Sequence, residues 1–435
     1  MKPFIEGASF NFMREMSMTL AAALFARLLA AVGNFSFFVA IGKLFGADGI
    51  GVFTIAQSVL IGSSILSRQG MDNTLMCYVG KHHTSTVIRF YFKWAAIRLL
   101  RNGIVCSLVV FLSANILTVF FDAPALKNII FGVAISVVPY SLCLLVAGFM
   151  KGVSKPVVAC LFENGGVFAV TTVALLVINE IYGLKVENTG WALACGSIMS
   201  CTLGLLLTFI IVRDEKLSDT VTVEIAALRK SSKHYFALGV GDFIQNVVGI
   251  FVLGSYLSNT QLGVFKCIER LAVLLNIVML GINSVFPPRF SYLHSVKDVK
   301  GLKGASRLSI FLCTIFSIPI ISFSLVFPET LIGIFGEEFR EYRVLVQIVA
   351  VAQIINVITG PMDLLLNMTG NEELCCRIIL ISKLIGVIAL FIAVRSFAVE
   401  GAVVAYVAVI AVQNGCLLVS VWKKLGIVML PLWKY

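Results

Sequence analysis

The sequence predicts an all-α polytopic membrane protein with about twelve transmembrane helices in two six-helix lobes, and three observations support this class. The 435 residues are 59% hydrophobic and 13% charged, with a mean hydropathy of +0.98, whereas soluble domains carry roughly 25% charged residues. Apolar runs long enough to cross a bilayer recur along the chain. Finally, Asn34, Gly42 and Gly51-Val52-Phe53 recur 212 residues later as Asn246, Gly254 and Gly263-Val264-Phe265, which indicates an internal repeat.

Twelve apolar runs of about 20 residues are the candidate spans. They cover residues 18–42, 49–67, 94–118, 128–150, 156–179, 190–212, 236–257, 262–286, 308–327, 344–366, 376–396 and 401–422. Six spans in each half give the two copies the same orientation, so the repeat is parallel. We therefore expect an amino-terminal lobe at 1–212, a cytoplasmic linker at 213–235 and a carboxy-terminal lobe at 236–435. Such repeats are typical of secondary transporters, whose site lies between the two lobes.

The distribution of basic residues predicts the orientation in the membrane. Most lysines and arginines fall in connections on one side, whereas acidic residues such as Glu337 and Glu338 lie on the other. By the positive-inside rule both termini are cytoplasmic. No cleavable signal is evident before Thr19. The net charge of +11 is explained by loops that face anionic lipid, so no nucleic-acid partner is predicted.

Several classes of protein are disfavoured by what the sequence lacks. The eleven cysteines lie in or beside apolar runs and the four histidines in polar connections, so neither a disulfide framework nor a metal site is predicted. The sequence has no phosphate-binding loop, nucleophile elbow or H-E-x-x-H motif. A membrane-embedded glycan polymerase would need a large outer loop, and the longest one, at 328–343, is too short. An enzyme is therefore not predicted.

Charged residues within the spans form the candidate site, because each costs several kcal/mol if it faces lipid. The cations expected to line a substrate cavity are Arg27, Arg98, Arg101, Arg270 and Lys383. The acids Glu163, Asp242 and Asp363 are candidates for coupling to H⁺ or Na⁺, and no other cofactor is predicted. The polar residues expected in the cavity are Asn34, Gln245 and Asn246.

A guanidinium group binds phosphate through two parallel hydrogen bonds, so a diphosphate-linked lipid is the candidate substrate. Arg98 and Arg101 are three residues apart and share one helix face. Structural roles stay open for most of these cations: Arg27 could only neutralise Glu163 or Asp242, Arg270 could pair with Glu269, and Arg98, Arg101 and Lys383 could reach lipid headgroups. Asp363, near Pro361, also suits a structural role.

Four stretches resemble polysaccharide-export flippases of the Wzx type, which belong to the multidrug/oligosaccharidyl-lipid/polysaccharide (MOP) superfamily. These stretches are Gly49–Gln57, Gly70–Asp72, Phe286–Phe290 and Leu331–Phe339. The resemblance implies a V-shaped, MATE-like transporter. It also implies that the protein moves an undecaprenyl-diphosphate-linked oligosaccharide, an O-antigen or related repeat unit, from the inner to the outer leaflet of the bacterial cytoplasmic membrane. Arg27 and Arg270 match the cationic cavity of the lipid-flipping branches.

The same resemblance implies membrane lipids, a polysaccharide polymerase and a chain-length regulator as partners of a monomeric protein. The alternative is a MATE-like, cation-coupled antiporter of drugs or metabolites. Drug exporters of this superfamily more often place an acid in the first span, where this chain has Arg27. Lipid II flippases usually have two further helices.

Overall fold

The computed structural model of the protein describes the backbone of residues 2–81, 87–153, 155–213, 225–276, 278–279, 282 and 286–427. Side chains are described from Leu28 onward in these ranges, apart from those at positions 81, 164, 213, 234, 238, 242, 245 and 288. The amino-terminal half contains helices α1 (Lys2–Arg68), α2 (Met71–Lys81), α3 (Val87–Phe120), α4 (Leu126–Gly152), α5 (Pro156–Phe162), α6 (Asn164–Tyr182) and α7 (Asn188–Arg213).

The carboxy-terminal half is also helical. It contains α8 (Ile225–Phe243), a π-helical turn (Ile244–Val248), α9 (Gly249–Tyr256), α10 (Asn259–Leu275), α11 (Pro287–Ser295), α12 (Val299–Val326), α13 (Pro328–Ile332), a 3₁₀ turn (Glu337–Tyr342), α14 (Arg343–Thr359), α15 (Met362–Met368) and α16 (Glu372–Leu425).

Two helices are long enough for two bilayer crossings, and each contains a break. In α1 the break is Gly46, with φ of +69°, a conformation that glycine adopts without steric cost. In α16 the break is at Phe397 and Ala398. Each break falls between two predicted spans, so the two sides of each long helix match separate spans.

Two further breaks interrupt single predicted spans. Glu163 has an extended backbone between α5 and α6. Gly360, with φ of +68°, separates α14 from α15 beside Pro361. By contrast, α4 continues through Pro139 without a break. These interruptions expose backbone groups inside the bundle, where polar partners must satisfy them.

Eight helices in the described part are long and apolar enough to cross a membrane, or nine if the bent segment from α8 to α9 is one span. Helices α1 and α16 each count once in that number, although each matches two predicted spans. Helix α10 has 17 residues and is not among these eight. The all-α polytopic class is confirmed, and the total of twelve spans stays a prediction.

The two halves of the chain contact each other at several places along α1, and two of these contacts lie at the start and the end of its second part. At the glycine crossing (Ala47, Gly51, Asn259 and Gly263) α1 lies against α10, and a Cβ atom on Gly51 would be 1.8 Å from the carbonyl oxygen of Asn259. A Cβ atom on Gly263 would be 2.0 Å from the carbonyl oxygen of Ala47. Only glycine permits this backbone approach.

At the polar crossing (Gln69, Gly70, Cys77, Ser232 and Tyr235) the end of α1 and helix α2 lie against α8. The Ser232 hydroxyl donates to the carbonyl of Gln69 at 2.7 Å. Cys77 Sγ lies 2.9 Å from the Tyr235 hydroxyl. Gly70, with φ of +73°, turns the chain between α1 and α2.

Candidate functional site

Arg270 on α10 lies where the carboxy-terminal half meets α1. Its Nη2 donates to Gln57 Oε1 at 3.4 Å, and its Cζ lies 4.4 Å from the centre of the Phe38 ring. Gln57 and Phe38 are both buried. The Nε of Arg270 is also buried and has no acceptor in the described part of the chain. A cation held at the contact of the two halves with one donor unsatisfied is suited to an anionic ligand.

Lys383 on α16 lines a cavity of about 340 Å³ inside the carboxy-terminal half. Glu269 on α10 lines the same cavity and forms an ion pair with Lys266, Nζ to Oε2 at 2.6 Å. Arg270 and Glu269 are therefore not a simple local pair, because this carboxylate contacts the buried Lys266 one turn earlier.

Amide side chains continue the polar lining of this cavity. Asn356 Nδ2 donates to Asn276 Oδ1 at 2.8 Å, and Asn414 Nδ2 donates to Asn356 Oδ1 at 3.2 Å. All three line the cavity with Lys383. The amide network thus links α10, α14 and α16 in the bundle interior.

Glu163 and Asn34 line a second cavity, of about 290 Å³, between α1, α4 and the α5–α6 break. Glu163 forms an ion pair with Lys151 at the end of α4. The Oδ1 atom of Asn34 is buried without a hydrogen-bond donor among the described residues. The cavity therefore contains both a carboxylate and an unsatisfied amide oxygen.

Asn246 lines a cavity of about 220 Å³ with Arg68, Ser64 and Tyr140. Arg68 forms an ion pair with Asp72, and its Nε donates to Ser64 Oγ at 3.2 Å. Asn246 belongs to the π-helical turn after α8, whereas the other residues belong to the amino-terminal half. This cavity thus lies between the two halves.

Arg98 and Arg101 line a cavity of about 700 Å³ together with Lys93, Trp94 and Arg229. Their spacing predicted a shared helix face, and both side chains face this cavity on α3. Arg229 comes from α8 and was assigned from the sequence only to a connection. Among the described side chains, the predicted cations therefore lie in three places: the Arg270 contact, the Lys383 cavity and the α3–α8 cavity.

Three predicted site residues, Arg27, Asp242 and Gln245, have side chains outside the described residues. Their helical backbone belongs to α1, α8 and the π-helical turn. Asp363 lies in the first turn of α15, and its carbonyl oxygen is 3.6 Å from Cys375 Sγ. It lies beside the Gly360 break, in a position that suits a helix start.

Sequence reasoning did not select three side chains that the structure places in or beside these cavities. Lys266, near the start of the predicted span at 262–286, is only 6% exposed. Lys151, which lies between the predicted spans at 128–150 and 156–179, pairs with Glu163. Asn356 had no distinguishing sequence signal. Only the spacing of Lys266 and Glu269, three residues apart in an apolar run, could have indicated the first of these.

Stretches that carry the family resemblance meet at one end of the bundle. The Glu338 carboxylate accepts a hydrogen bond from the Ala47 amide at 2.6 Å, next to the Gly46 break. Phe335 and Phe339 are fully buried beside it. The Leu331–Phe339 stretch thus contacts the helix that contains the Gly49–Gln57 stretch, and both adjoin the glycine crossing.

The chain is similar to solved transporters along nearly its full length. An inward-facing multidrug resistance MATE family transporter of the MOP superfamily superposes with a TM-score of 0.76 at 12% identity, covering 94% of this chain and 98% of that chain. The lipid II flippase MurJ, in an inward closed conformation, gives 0.70 at 13% identity, with 93% and 87% covered. The Vibrio cholerae MATE transporter VcmN in its bent form gives 0.58 at 12% identity, with 95% and 98% covered. These likenesses show a shared fold.

A search of curated proteins finds no match. The family model described as "Polysaccharide biosynthesis protein" matches residues 43–344, which is more than half of the chain. Together with the fold, this match confirms the resemblance to Wzx-type members of the MOP superfamily. The chain therefore belongs to the polysaccharide biosynthesis protein family and has the fold of MOP membrane transporters.

Proposed function

We propose that the protein flips an undecaprenyl-diphosphate-linked oligosaccharide, an O-antigen or related repeat unit, from the inner to the outer leaflet of the bacterial cytoplasmic membrane. The polysaccharide biosynthesis family and the fold shared with MOP transporters support a glycan-linked substrate. The observation that carries the proposal is Arg270, a cation at the contact of the two halves whose buried Nε has no acceptor among the described residues.

A diphosphate group fits this arrangement. Each phosphate oxygen can accept the N–H groups of a guanidinium, and such charge-assisted hydrogen bonds are stronger than neutral ones. The sugars and the diphosphate cannot cross hydrocarbon unaided, since each unpaired polar group costs several kcal/mol there. The head group would therefore pass through the bundle interior while the prenyl chain stays in lipid. Arg27 and Lys383 are the further cations proposed along this path.

Alternating access would come from rocking of the lobe at 1–212 against the lobe at 236–435 about the linker at 213–235. With both termini cytoplasmic, the Gly46 break and the glycine crossing lie on the outer side, and the polar crossing lies on the cytoplasmic side. Opening to the outer leaflet would separate Gly51 from Asn259. Opening to the cytoplasm would separate Ser232 from Gln69.

We also propose that a gradient of H⁺ or Na⁺ drives turnover through an intramembrane carboxylate. Glu163 is the best placed described candidate, because its cavity also holds the unsatisfied Oδ1 of Asn34. Asp242 and Asp363 are the other candidates. We expect Glu163→Gln to abolish gradient-dependent lipid transport in vesicles, with Glu373→Gln, at an exposed carboxylate, as the control. Unchanged gradient dependence in Glu163→Gln would remove this role.

The protein is proposed to act as a monomer in the inner membrane. A polysaccharide polymerase and a chain-length regulator would be its partners, because flipped repeat units must be joined on the outer side. Membrane lipids surround the apolar faces of α3 and α16, where large side chains such as Ile116 and Ile392 are exposed.

Substitution of Arg270 tests the proposal. In a strain lacking the native gene, we expect Arg270→Gln to abolish surface glycan and to leave lipid-linked repeat units on the inner leaflet, while the amount of protein in the membrane stays unchanged. Arg270→Lys keeps the charge but not the planar donors, so partial export is expected. Arg377→Gln, at an exposed arginine, is the control. Arg27→Gln extends the test to the first span.

Normal glycan display with Arg270→Gln would contradict the proposal. A deletion strain that displays normal glycan and becomes sensitive to cationic dyes would instead favour the antiporter.

A further inference from the structure

The cavity between α3 and α8 contains a concentration of positive charge separate from the Arg270 contact. Eight described residues line its volume of about 700 Å³, and four of them are the cations Lys93, Arg98, Arg101 and Arg229. None of these eight is acidic. Residues 214–224 precede α8 and lie outside the described part of the chain. Like charges at this density repel each other, so a counter-ion would stabilise the cavity.

Arg98 shows that this is more than a set of solvated surface charges. Its Cζ lies 5.6 Å from the centre of the Trp94 ring, so the guanidinium is held against an aromatic face. Its Nη1 is buried and has no hydrogen-bond acceptor among the described residues. An arginine that merely reached the headgroup region would have this atom in water.

The position of the cavity along α3 matches the level of lipid phosphates. Residues 102–120, which complete α3 after Arg101, include no charged side chain. At the helical rise, these 19 residues extend over about 29 Å, close to the roughly 30 Å hydrocarbon thickness of a bilayer. If this stretch spans the hydrocarbon, Arg101 lies at the hydrocarbon boundary and Arg98 and Lys93 lie in the headgroup layer.

The outer face of α3 continues from the cavity as an apolar surface. Ile97 lines the cavity, and Arg101, Ile104 and Leu108 follow on the same helix face. Ile104 and Leu108 are 61% and 58% exposed. A hydrocarbon chain could therefore lie along α3 while its head group contacts Arg98 and Arg101.

We propose that the α3–α8 cavity binds the phosphate of a membrane lipid, with Arg98, Arg101, Lys93 and Arg229 around the phosphate and the lipid chain along α3. The ligand is a phosphate ester carried on a hydrocarbon chain, either an anionic glycerophospholipid or a prenyl-linked phosphate. Basic pockets between membrane helices recognise such head groups. The proposal does not depend on the proposed flippase function, because the ordinary anionic lipids of a membrane satisfy it.

The test is retention of lipid by the full-length protein. The protein is reconstituted in phosphatidylcholine nanodiscs that contain a minor fraction of either phosphatidylglycerol or undecaprenyl phosphate, then released and analysed by native mass spectrometry. We expect the double variant Arg98→Gln, Arg101→Gln to retain the phosphate-bearing lipid about tenfold less than the unmodified protein, as loss of charge-assisted contacts predicts. Arg377→Gln should retain it as the unmodified protein does.

Two further variants separate binding from folding. Arg98→Lys with Arg101→Lys keeps the charge and should retain an intermediate amount of lipid, because lysine lacks the planar donors. Trp94→Ala removes the ring beneath Arg98 and should weaken retention while all four cations remain. Thermal unfolding of each variant identifies any variant that does not fold. Lipid retention is then compared among the variants that fold.

Comparing retention of the two lipids identifies which class of lipid supplies the phosphate. Equal retention of phosphatidylglycerol and undecaprenyl phosphate supports a site for anionic lipids in general, and preference for the prenyl lipid supports a site for a prenyl-linked phosphate. Inorganic phosphate should not displace either lipid at equal concentration, because it lacks the chain that contacts α3. The proposal is overturned if the Gln double variant retains as much lipid as Arg377→Gln, or if inorganic phosphate competes as well as the lipids do.

Discussion

The glycine crossing and the polar crossing join the same two halves through different balances of backbone packing and side-chain hydrogen bonding. At the glycine crossing, backbone lies directly on backbone and the contact distances leave no room for a Cβ atom on Gly51 or Gly263. At the polar crossing backbone also approaches backbone, since a Cβ atom on Gly70 would be 2.6 Å from the Phe236 amide nitrogen. The Ser232 hydroxyl and the Cys77–Tyr235 contact add side-chain interactions there. The backbone approach at Gly70 is less close than the 1.8 Å and 2.0 Å approaches at the glycine crossing, so less of the polar crossing depends on direct backbone packing. The polar crossing should therefore be the easier of the two to open.

The glycine crossing also explains why the repeated glycines matter. Gly51 faces Asn259 and Gly263 faces Ala47. The 212-residue shift of the repeat relates Gly51 to Gly263 and Ala47 to Asn259. The contact is therefore close to symmetric, with each copy of the repeat placing its glycine against the partner helix. Such small-residue contacts let membrane helices approach closely.

The largest expected effect tests the packing of the glycine crossing. We expect Gly51→Ala and Gly263→Ala each to destabilise the protein by about 2–3 kcal/mol, because the methyl group meets a carbonyl oxygen that belongs to the backbone and cannot turn aside. The measurement is the midpoint of thermal unfolding of the purified protein. Gly415→Ala is the control, since nothing lies within 4 Å of its Cβ position. Equal unfolding midpoints for Gly51→Ala, Gly263→Ala and Gly415→Ala would show that close packing at the glycine crossing adds no stability.

An intermediate effect is expected at Glu338, which supports the glycine crossing through the Ala47 amide. Glu338→Ala removes the acceptor for an amide at the start of the second part of α1, where no helical carbonyl replaces it. We expect a loss of about 1 kcal/mol, as for removal of a helix cap. The exposed neighbour Glu337, which pairs with Arg340, provides the control Glu337→Ala. A larger shift in unfolding for the control would show that Glu338 has no special role.

The smallest effect is expected at the polar crossing. Ser232→Ala removes a single neutral hydrogen bond from a buried hydroxyl to the Gln69 carbonyl, so we expect a loss of about 0.5 kcal/mol, the lower end for such a bond. Ser420→Ala, at an exposed hydroxyl that bonds within its own helix, serves as the reference. Thermal unfolding again measures both variants. If Ser232→Ala destabilises as much as Gly51→Ala, the polar crossing is the stronger contact and the comparison reverses.

The positions of the spans were predictable because a bilayer requires about 20 apolar residues whatever the neighbouring helices are. The breaks at Gly46 and Gly360 were also predictable from their sequence context, since one falls between two apolar runs and the other precedes a proline. The break at Glu163 was not predicted. It lies seven residues after Pro156, where the predicted span begins, and directly before Asn164-Gly165-Gly166. Its ion pair with Lys151 depends on how α4 and α5 pack.

The candidate site was predictable only in part, because a charge in a span identifies a residue without identifying its partner. The spacing of Arg98 and Arg101 was sufficient to place them on one face, since that relation is local to one helix. Arg229 joins them from α8, more than 120 residues later. Arg270 could have paired with Glu269 by sequence alone, yet it contacts Gln57 and Phe38 of α1.

By itself the sequence determined that the chain is a helical membrane protein with a repeated architecture and charges inside its spans, because hydropathy and periodicity act over one helix at a time. Only the tertiary structure decided that Gly51 and Gly263 lie at the same crossing, that Lys151 neutralises Glu163, and that four cations from α3 and α8 share one cavity. These relations join helices distant in sequence, and packing in three dimensions sets which side chains meet.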